Sequence, residues 1–493
     1  MNDDTLRFIR TEGSGLLRDT RRELWLNLTG MRAQTRLGGV YASRRDFLEP
    51  ELFHSCDGYA DRDGEEKTRL RLLSSFLALA FLSGKTASVA DRILALEAGE
   101  EFPACGERMT LRSAKARILS EPRKNKRDEI DEKSGELLFR LNTLCMRKLE
   151  SLSESSEALG FKTYGELLDE THGMTTPGLA SGAEKFLRDT DYIAGDMLEW
   201  FLSRKIDVRM KDASLSDITF LFNSAELGGY FPKPDFESFT ETVLGGMSLN
   251  PPRSASFDTT KRTGKTADGF SLTLGPPIET ALSIFPVGGI HDYESLLGCL
   301  GHSLCYAFTD PEDDFEFVYP RDPCLTDIFS GLFGGLIYEP EWLKKYLRID
   351  TGGDLHNFLQ LRRLMSARIE AGRAVCIQEI YGGSDSGEMS ALLTDIMSRA
   401  AKCRYDGRKF LPEFLSPVSS PFRFKSLLSL PGLRIFMKES FDEEWWRTPA
   451  AGDYLRGVWS EGGRITGGAL LERCGCGEQG TEALVRDFEE AFR

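Results

Sequence analysis

Histidine is scarce in this chain, with 5 in 493 residues, and the five (His54, His172, His291, His302 and His356) are scattered. The 10 cysteines include no CxxC pair, which excludes a zinc ribbon and a thioredoxin-type redox motif; Cys474-Gly475-Cys476 reads as a turn. No apolar run approaches the roughly 20 residues needed to cross a bilayer. The longest, Leu72 to Leu82, is broken by Ser74 and Ser75 and reads as a buried helix, so no membrane partner is expected. The start, Met1-Asn2-Asp3-Asp4, has no apolar segment of the secretory kind, and the expected location is cytoplasmic. Positive charge is in deficit: 62 Lys and Arg against 77 Asp and Glu leave a net charge of −15. A nucleic-acid partner needs a basic face and is therefore not expected. No repeat and no low-complexity tract appears, and Gly352-Gly353 and Gly382-Gly383 lack the Lys-Ser/Thr of a phosphate loop.

What is present is an ordinary globular composition, 41% hydrophobic and 28% charged. The length allows two or three structural units, and the division expected is 1–240 and 241–493. Apolar residues recur at helical spacing over 68–90, 128–160 and 184–204, with charged stretches such as Arg123 to Arg127 on solvated faces. Between Leu244 and Pro277 helical periodicity gives way to Gly, Pro, Ser and Thr. Short strands are predicted at 257–260, 270–274 and 281–287, the first two flanking a turn at Thr263-Gly264-Lys265 within a small sheet over 255–287. Helices are then predicted over 292–308, 323–347, 354–371, 374–403, 424–440 and 449–460. The class is mainly α with a small β insert.

In the helix from Asp292 to Phe308, Asp292 is a suitable N-cap, and Leu296, Leu300, Leu304 and Phe308 form an i, i+4 stripe. Gly298 and Gly301 inside it each cost up to about 1 kcal/mol against alanine, so something besides helix propensity must hold them there.

Residues 286–308 resemble the active-site helix of M3-like zinc oligopeptidases, a gluzincin family whose helix carries HExxH. The likeness continues through Phe315-Glu316-Phe317, Arg321 to Asp327 and Tyr338-Glu339-Pro340-Glu341-Trp342. It includes Trp445-Trp446-Arg447 and Ala451-Gly452-Asp453-Tyr454-Leu455, and it spans about residue 65 to the end. It implies a two-lobed helical fold around a cleft, with a small sheet beside the site. In that family the two histidines of HExxH hold zinc, the glutamate activates water, and a later glutamate completes the site.

Carried onto this chain, the first ligand position is Gly298, the base position Cys299, the second ligand His302 and the third Asp327. Only His302 is intact, and Asp327 is one methylene short. No catalytic residue is therefore assigned and no cofactor is expected, unless zinc occupies a rebuilt site. The family's tyrosine-rich C-terminal stretch corresponds here to Ser419 to Leu428, which has no tyrosine. His302 thus reads as a buried histidine hydrogen-bonded in the core. It also reads as part of a rebuilt zinc site with Cys299, Cys305 and Cys324 or Asp327, or as base to a Cys299 nucleophile. The first reading gives an inactive relative with a peptide or protein in its cleft; the others give an enzyme with a remodelled site.

Overall fold

The computed structural model describes residues 1–56, 58, 62–223, 227, 229–250, 256–275, 279–381, 386–477 and 480–492, with the side chains of 386–388 also outside the description. The expected turn at Gly382-Gly383, residue 255 and residues 276–278 of the expected sheet region lie outside it. Helices dominate. The apolar helix expected around Leu72 is Gly64–Gly99, long and apolar enough to cross a membrane, but 67% of its most apolar window is buried by the rest of the chain. The main buried apolar cluster among the described residues runs from Ile9 to Phe488 across residue 240, beside three small ones. No disulfide joins any of the ten cysteines, all of which lie among the described residues.

Several expected helices are divided or merged, each for a local reason. The 128–160 stripe is two helices, Lys124–Lys133 and Gly135–Ala158, and the 184–204 stripe falls in Thr176–Asp189 and Asp191–Ile206. The segment 323–347 keeps Pro323–Gly334 as α-helix and then tightens into a 3₁₀ turn at Gly335 and restarts at Pro340. The break expected near residue 372 does not exist, because Asp354–Tyr381 is continuous. Gly372 serves contact there: a Cβ on it would lie 2.6 Å from the Ala400 Cβ. The basic run 123–127 is not wholly solvated either. Arg127 is fully buried and binds Asp217 Oδ1 through Nε at 3.0 Å and Nη2 at 2.7 Å.

Two features of the β structure depart from expectation. A hairpin, β1 (Glu101–Ala104) with β2 (Glu107–Thr110), turns on Cys105 and Gly106, both at positive φ. Two successive positive φ values make the tight turn that twisted strands favour, and a Cys-Gly pair is a weak sequence signal for it. The second sheet has β3 (Ser256–Asp258), β4 (Phe270–Gly275) and β5 (Glu279–Ser283) in the order β3-β5-β4. The strands flanking the 263–265 turn therefore do not pair; β5 lies between them, parallel to β3 and antiparallel to β4. The turn is fastened from inside instead. The buried Lys265 Nζ donates to the Asp258 and Ile284 carbonyls at 2.6 and 2.9 Å and meets the Asp258 carboxylate at 3.0 Å.

The motif helix, Ile290–Ala307, starts two residues before Asp292, with Gly289 at φ +76° as its cap. Asp292 sits in the first turn and accepts the Val287 and Gly288 amides, at 2.9 and 3.1 Å. Glu294, ion-paired to Arg362 at 2.5 Å and accepting the Tyr338 hydroxyl at 2.7 Å, fixes the helix against its surroundings. On its other side the helix lies on the facing helix, Pro323–Gly334, and Gly301 explains how closely. A Cβ on Gly301 would overlap the Phe329 carbonyl, at 2.8 Å from its carbon, and press on the Phe333 Cβ at 3.1 Å.

Gly301→Ala is therefore expected to lower stability by about 1–3 kcal/mol through overpacking, read by denaturant or thermal unfolding. Gly457→Ala, on an exposed helical site with nothing within 4 Å of the added carbon, should instead raise it by up to about 1 kcal/mol. A neutral Gly301→Ala would refute the close backbone contact.

Candidate active site

In a motif helix whose other faces are packed, Gly298, His302 and Tyr306 follow one another at four-residue spacing and are all partly exposed. They lie on one face. Across from them, Asp327 and Ser330 of the facing helix are also partly exposed. This is the recess into which an HExxH ligand pair would project.

Its contents depart from a metal site at each position. Gly298 has no side chain, and a Cβ there would already stand 3.3 Å from Ser330 Oγ. Cys299 is 6% exposed, with its thiol pushed up to about 12 by burial, so it is un-ionised at neutral pH. His302 Nδ1 shares a 2.8 Å hydrogen bond with Ser271 Oγ of β4. Burial, reinforced by the positive fields of Arg21, Arg423 and Arg321, holds His302 down at about 4, so the ring is neutral. Asp327 accepts the Ser420 hydroxyl, and burial pushes its carboxyl up to about 6, against the pull of Arg423 and that hydrogen bond.

The other candidates lie elsewhere or serve packing. Cys305 gives its Sγ–H to the Gly301 carbonyl at 3.5 Å, and its thiol is also pushed up to about 12 by burial. Cys324 lies in the first turn of the facing helix, its Sγ 3.6 Å from where a Gly467 Cβ would be. His291 Nε2 pairs with the Ala267 carbonyl at 3.1 Å, and His356 Nε2 with the Ala491 carbonyl at 2.8 Å. His172 Nδ1 meets the Thr171 hydroxyl at 2.7 Å. Among the described residues, no group of three or more His, Cys, Asp or Glu side chains converges as metal ligands. The donor set around His302 thus does not fit the zinc that the family resemblance implies. The rebuilt Cys/His/Asp site is not assembled, and a Cys299 thiolate paired with His302 has no support in the thiol's ionisation.

Sequence reading did not find Ser271, Ser420 or Arg21 as neighbours of this recess. They come from β4, from the segment before the helix Arg423–Ser440, and from the N-terminal helix Asp3–Leu28. Arg21 Nη1 donates to the Thr273 carbonyl of β4 at 2.7 Å. No local spacing links such distant positions. The one available signal was the departure of Ser419 to Leu428 from the family's tyrosine-rich pattern.

The two perturbed groups give opposite pH slopes. Asp327, raised from 3.8, lends stability at low pH that is lost as pH rises through about 6. His302, lowered from 6.5, lends stability above that value that is lost as pH falls towards about 4. Relative to the parent, Asp327→Asn should gain on the order of 2 kcal/mol above pH 6 and nothing below pH 4. His302→Gln should gain towards pH 4 instead. Equal effects of either substitution at both ends of the range would refute the assignment; chemical denaturation from pH 4 to 8 reads it.

No protein-family profile matches the chain, and no curated protein sequence does. Solved structures do match in fold. A putative oligoendopeptidase F from Bacillus anthracis str. Ames superposes with a TM-score of 0.59 at 13% identity, covering 96% of this chain and 85% of that one. PZ peptidase A, solved with an inhibitor, superposes with a TM-score of 0.64 at 15% identity, covering 91% and 85%. At such identities the likeness is one of architecture: the chain has the mainly α, two-lobed fold of the M3-type oligopeptidases, with its small sheet beside the motif helix.

Proposed function

We propose that this protein is a catalytically inactive relative of M3-type zinc peptidases, a pseudopeptidase that retains the recess as a binding place for a peptide or a protein segment. One observation carries the reading. On the one face of the motif helix that reaches solvent, position 298 offers no donor atom, and the neighbouring base position is a buried, un-ionised thiol. Hydrolysis by that family's route needs a metal held by three protein ligands and a carboxylate that takes a proton from water. Here His302 and Asp327 remain, each hydrogen-bonded to a serine. Retention of the architecture without the chemistry is physically reasonable, because most residues of a fold serve packing. A peptide occupant is supported by the oligopeptidase architecture and by the open stripe through Gly298, His302 and Tyr306.

Elemental analysis of protein purified without chelators should find zinc far below one ion per chain. Unstructured peptides incubated with the protein and added Zn²⁺ should stay intact. Cleavage that a chelator stops and His302→Ala abolishes would overturn the reading.

A further inference from the structure

Beyond His302, the same open face ends at Tyr306, and two guanidinium groups lie against its ring. The Arg321 Cζ is 4.7 Å from the ring centroid and that of Arg21 is 5.9 Å away. Arg21 also lies 5.8 Å from the ring of Tyr319. Aromatic faces hold cations in this way, but they do not neutralise them.

What these arginines lack distinguishes them. The other buried arginines each meet a carboxylate: Arg112 with Glu97 at 3.3 Å, Arg127 with Asp217 at 2.7 Å, Arg362 with Glu294 at 2.5 Å and Arg368 with Asp191 at 3.0 Å. Arg321 is only 8% exposed, gives Nη2 to the Thr309 hydroxyl, and has a buried Nε with no partner. Arg21 gives Nη1 to the Thr273 carbonyl. Among the described residues no carboxylate stands within ion-pair distance of either. The nearest acid in sequence, Asp322, is spent on the Cys324 and Gly467 amides, at 2.9 and 2.7 Å. Burial lowers both guanidiniums below their ordinary range, and each remains cationic at neutral pH. In a chain of net charge −15, the buried Arg321 and the partly exposed Arg21, neither with a counter-ion among the described residues, make a local reversal of sign. Arg21, Tyr306 and Tyr319 are partly exposed, so solvent reaches the edge of the place.

We propose that Arg21 and Arg321, set against Tyr306, form a carboxylate-binding site at this end of the recess, where they take the C-terminal or acidic side-chain carboxylate of a bound peptide. The guanidinium fork matches a carboxylate's two oxygens, and a desolvated fork holds it most strongly. The proposal rests on the peptide-binding reading for the source of the carboxylate, not for the site itself.

The test uses the full-length protein and four probes: glutarate, sodium chloride, an acetylated alanine hexapeptide with a free C-terminus, and the same peptide amidated. Calorimetric titration and thermal unfolding are followed for the parent and for Arg321→Gln. Glutarate and the free-acid peptide should stabilise the parent, the amide should bind about tenfold more weakly, and Arg321→Gln should lose the difference. Without ligand, Arg321→Gln should unfold no earlier than the parent, because it removes an unpaired buried charge. Arg127→Gln, which leaves the buried Asp217 with Lys124 as its one remaining cationic partner, should unfold earlier. A peptide with an internal glutamate and an amidated end separates the two carboxylate sources, since only side-chain recognition restores its binding.

Equal affinity for acid and amide would overturn the carboxylate site and leave a peptide recess standing. Chloride acting as strongly as glutarate would overturn it in favour of a small inorganic anion. Arg321-dependent binding of glutarate with no binding of any peptide would keep the site and overturn the peptide reading.

Discussion

The contact between the motif helix and the facing helix, made without intervening side chains, is the constraint on which the recess depends. At Gly301 the backbones meet through the Phe329 carbonyl with no room for a methyl group. Such contact fixes the axial position of one helix on the other more tightly than interdigitated side chains do, because backbone cannot change rotamer. It places His302 and Asp327 on the two walls of one recess. It also bears on the missing ligand. A Gly334 Cβ would lie 3.7 Å from the Gly298 Cα, and a Gly298 Cβ would crowd Ser330. The two helices approach one another at position 298, and the absence of a side chain there fits that close approach.

Around that contact the remaining polar groups are bound to partners that a metal would have to displace. His302 is held by Ser271 from the sheet, and Asp327 by Ser420 from the segment ahead of the helix Arg423–Ser440. Both serines are short hydroxyl side chains that satisfy a buried group locally. The result is a histidine–strand link and a carboxyl–loop link that together join four separate chain segments. His302 and Asp327 thus each have a hydrogen-bonding role in packing, which avoids the cost of leaving those two groups unsatisfied.

The elements legible in the sequence were those whose signal is local. The motif helix, the face carrying Gly298 and His302, and the helices 423–440 and 449–460 follow from periodicity and spacing. The N-terminal helix Asp3–Leu28 did not stand out, because Gly13, Thr20 and Asn27 are among its buried positions and blur the apolar stripe. Gly13 is there for contact: a Cβ would lie 2.8 Å from the Phe315 ring. The order β3-β5-β4 was hidden for a different reason. Adjacent strands joined by a turn suggest a hairpin, and only the buried Lys265, tying the turn to both β3 and the end of β5, explains why another strand lies between them. The neighbours of His302 were least legible of all, because their proximity is set by tertiary packing alone.

The electrostatics of the recess argue in the same direction as its donor count. A structural or catalytic zinc is stabilised by deprotonated, preferably anionic ligands, and every positive charge nearby weakens it. Here the thiols at 299 and 305 are held protonated by burial, and Asp327 is moved towards neutrality. Arg21, Arg321 and Arg423 all act on His302 from around it. A dication entering this place would meet three guanidinium fields and few anionic donors. The same field, with Arg21 and Arg321 both against the Tyr306 ring, favours an anion over a cation there. Burial thus acts twice against a dication, leaving Arg321 without a counter-ion among the described residues and keeping the Cys299 and Cys305 thiols un-ionised.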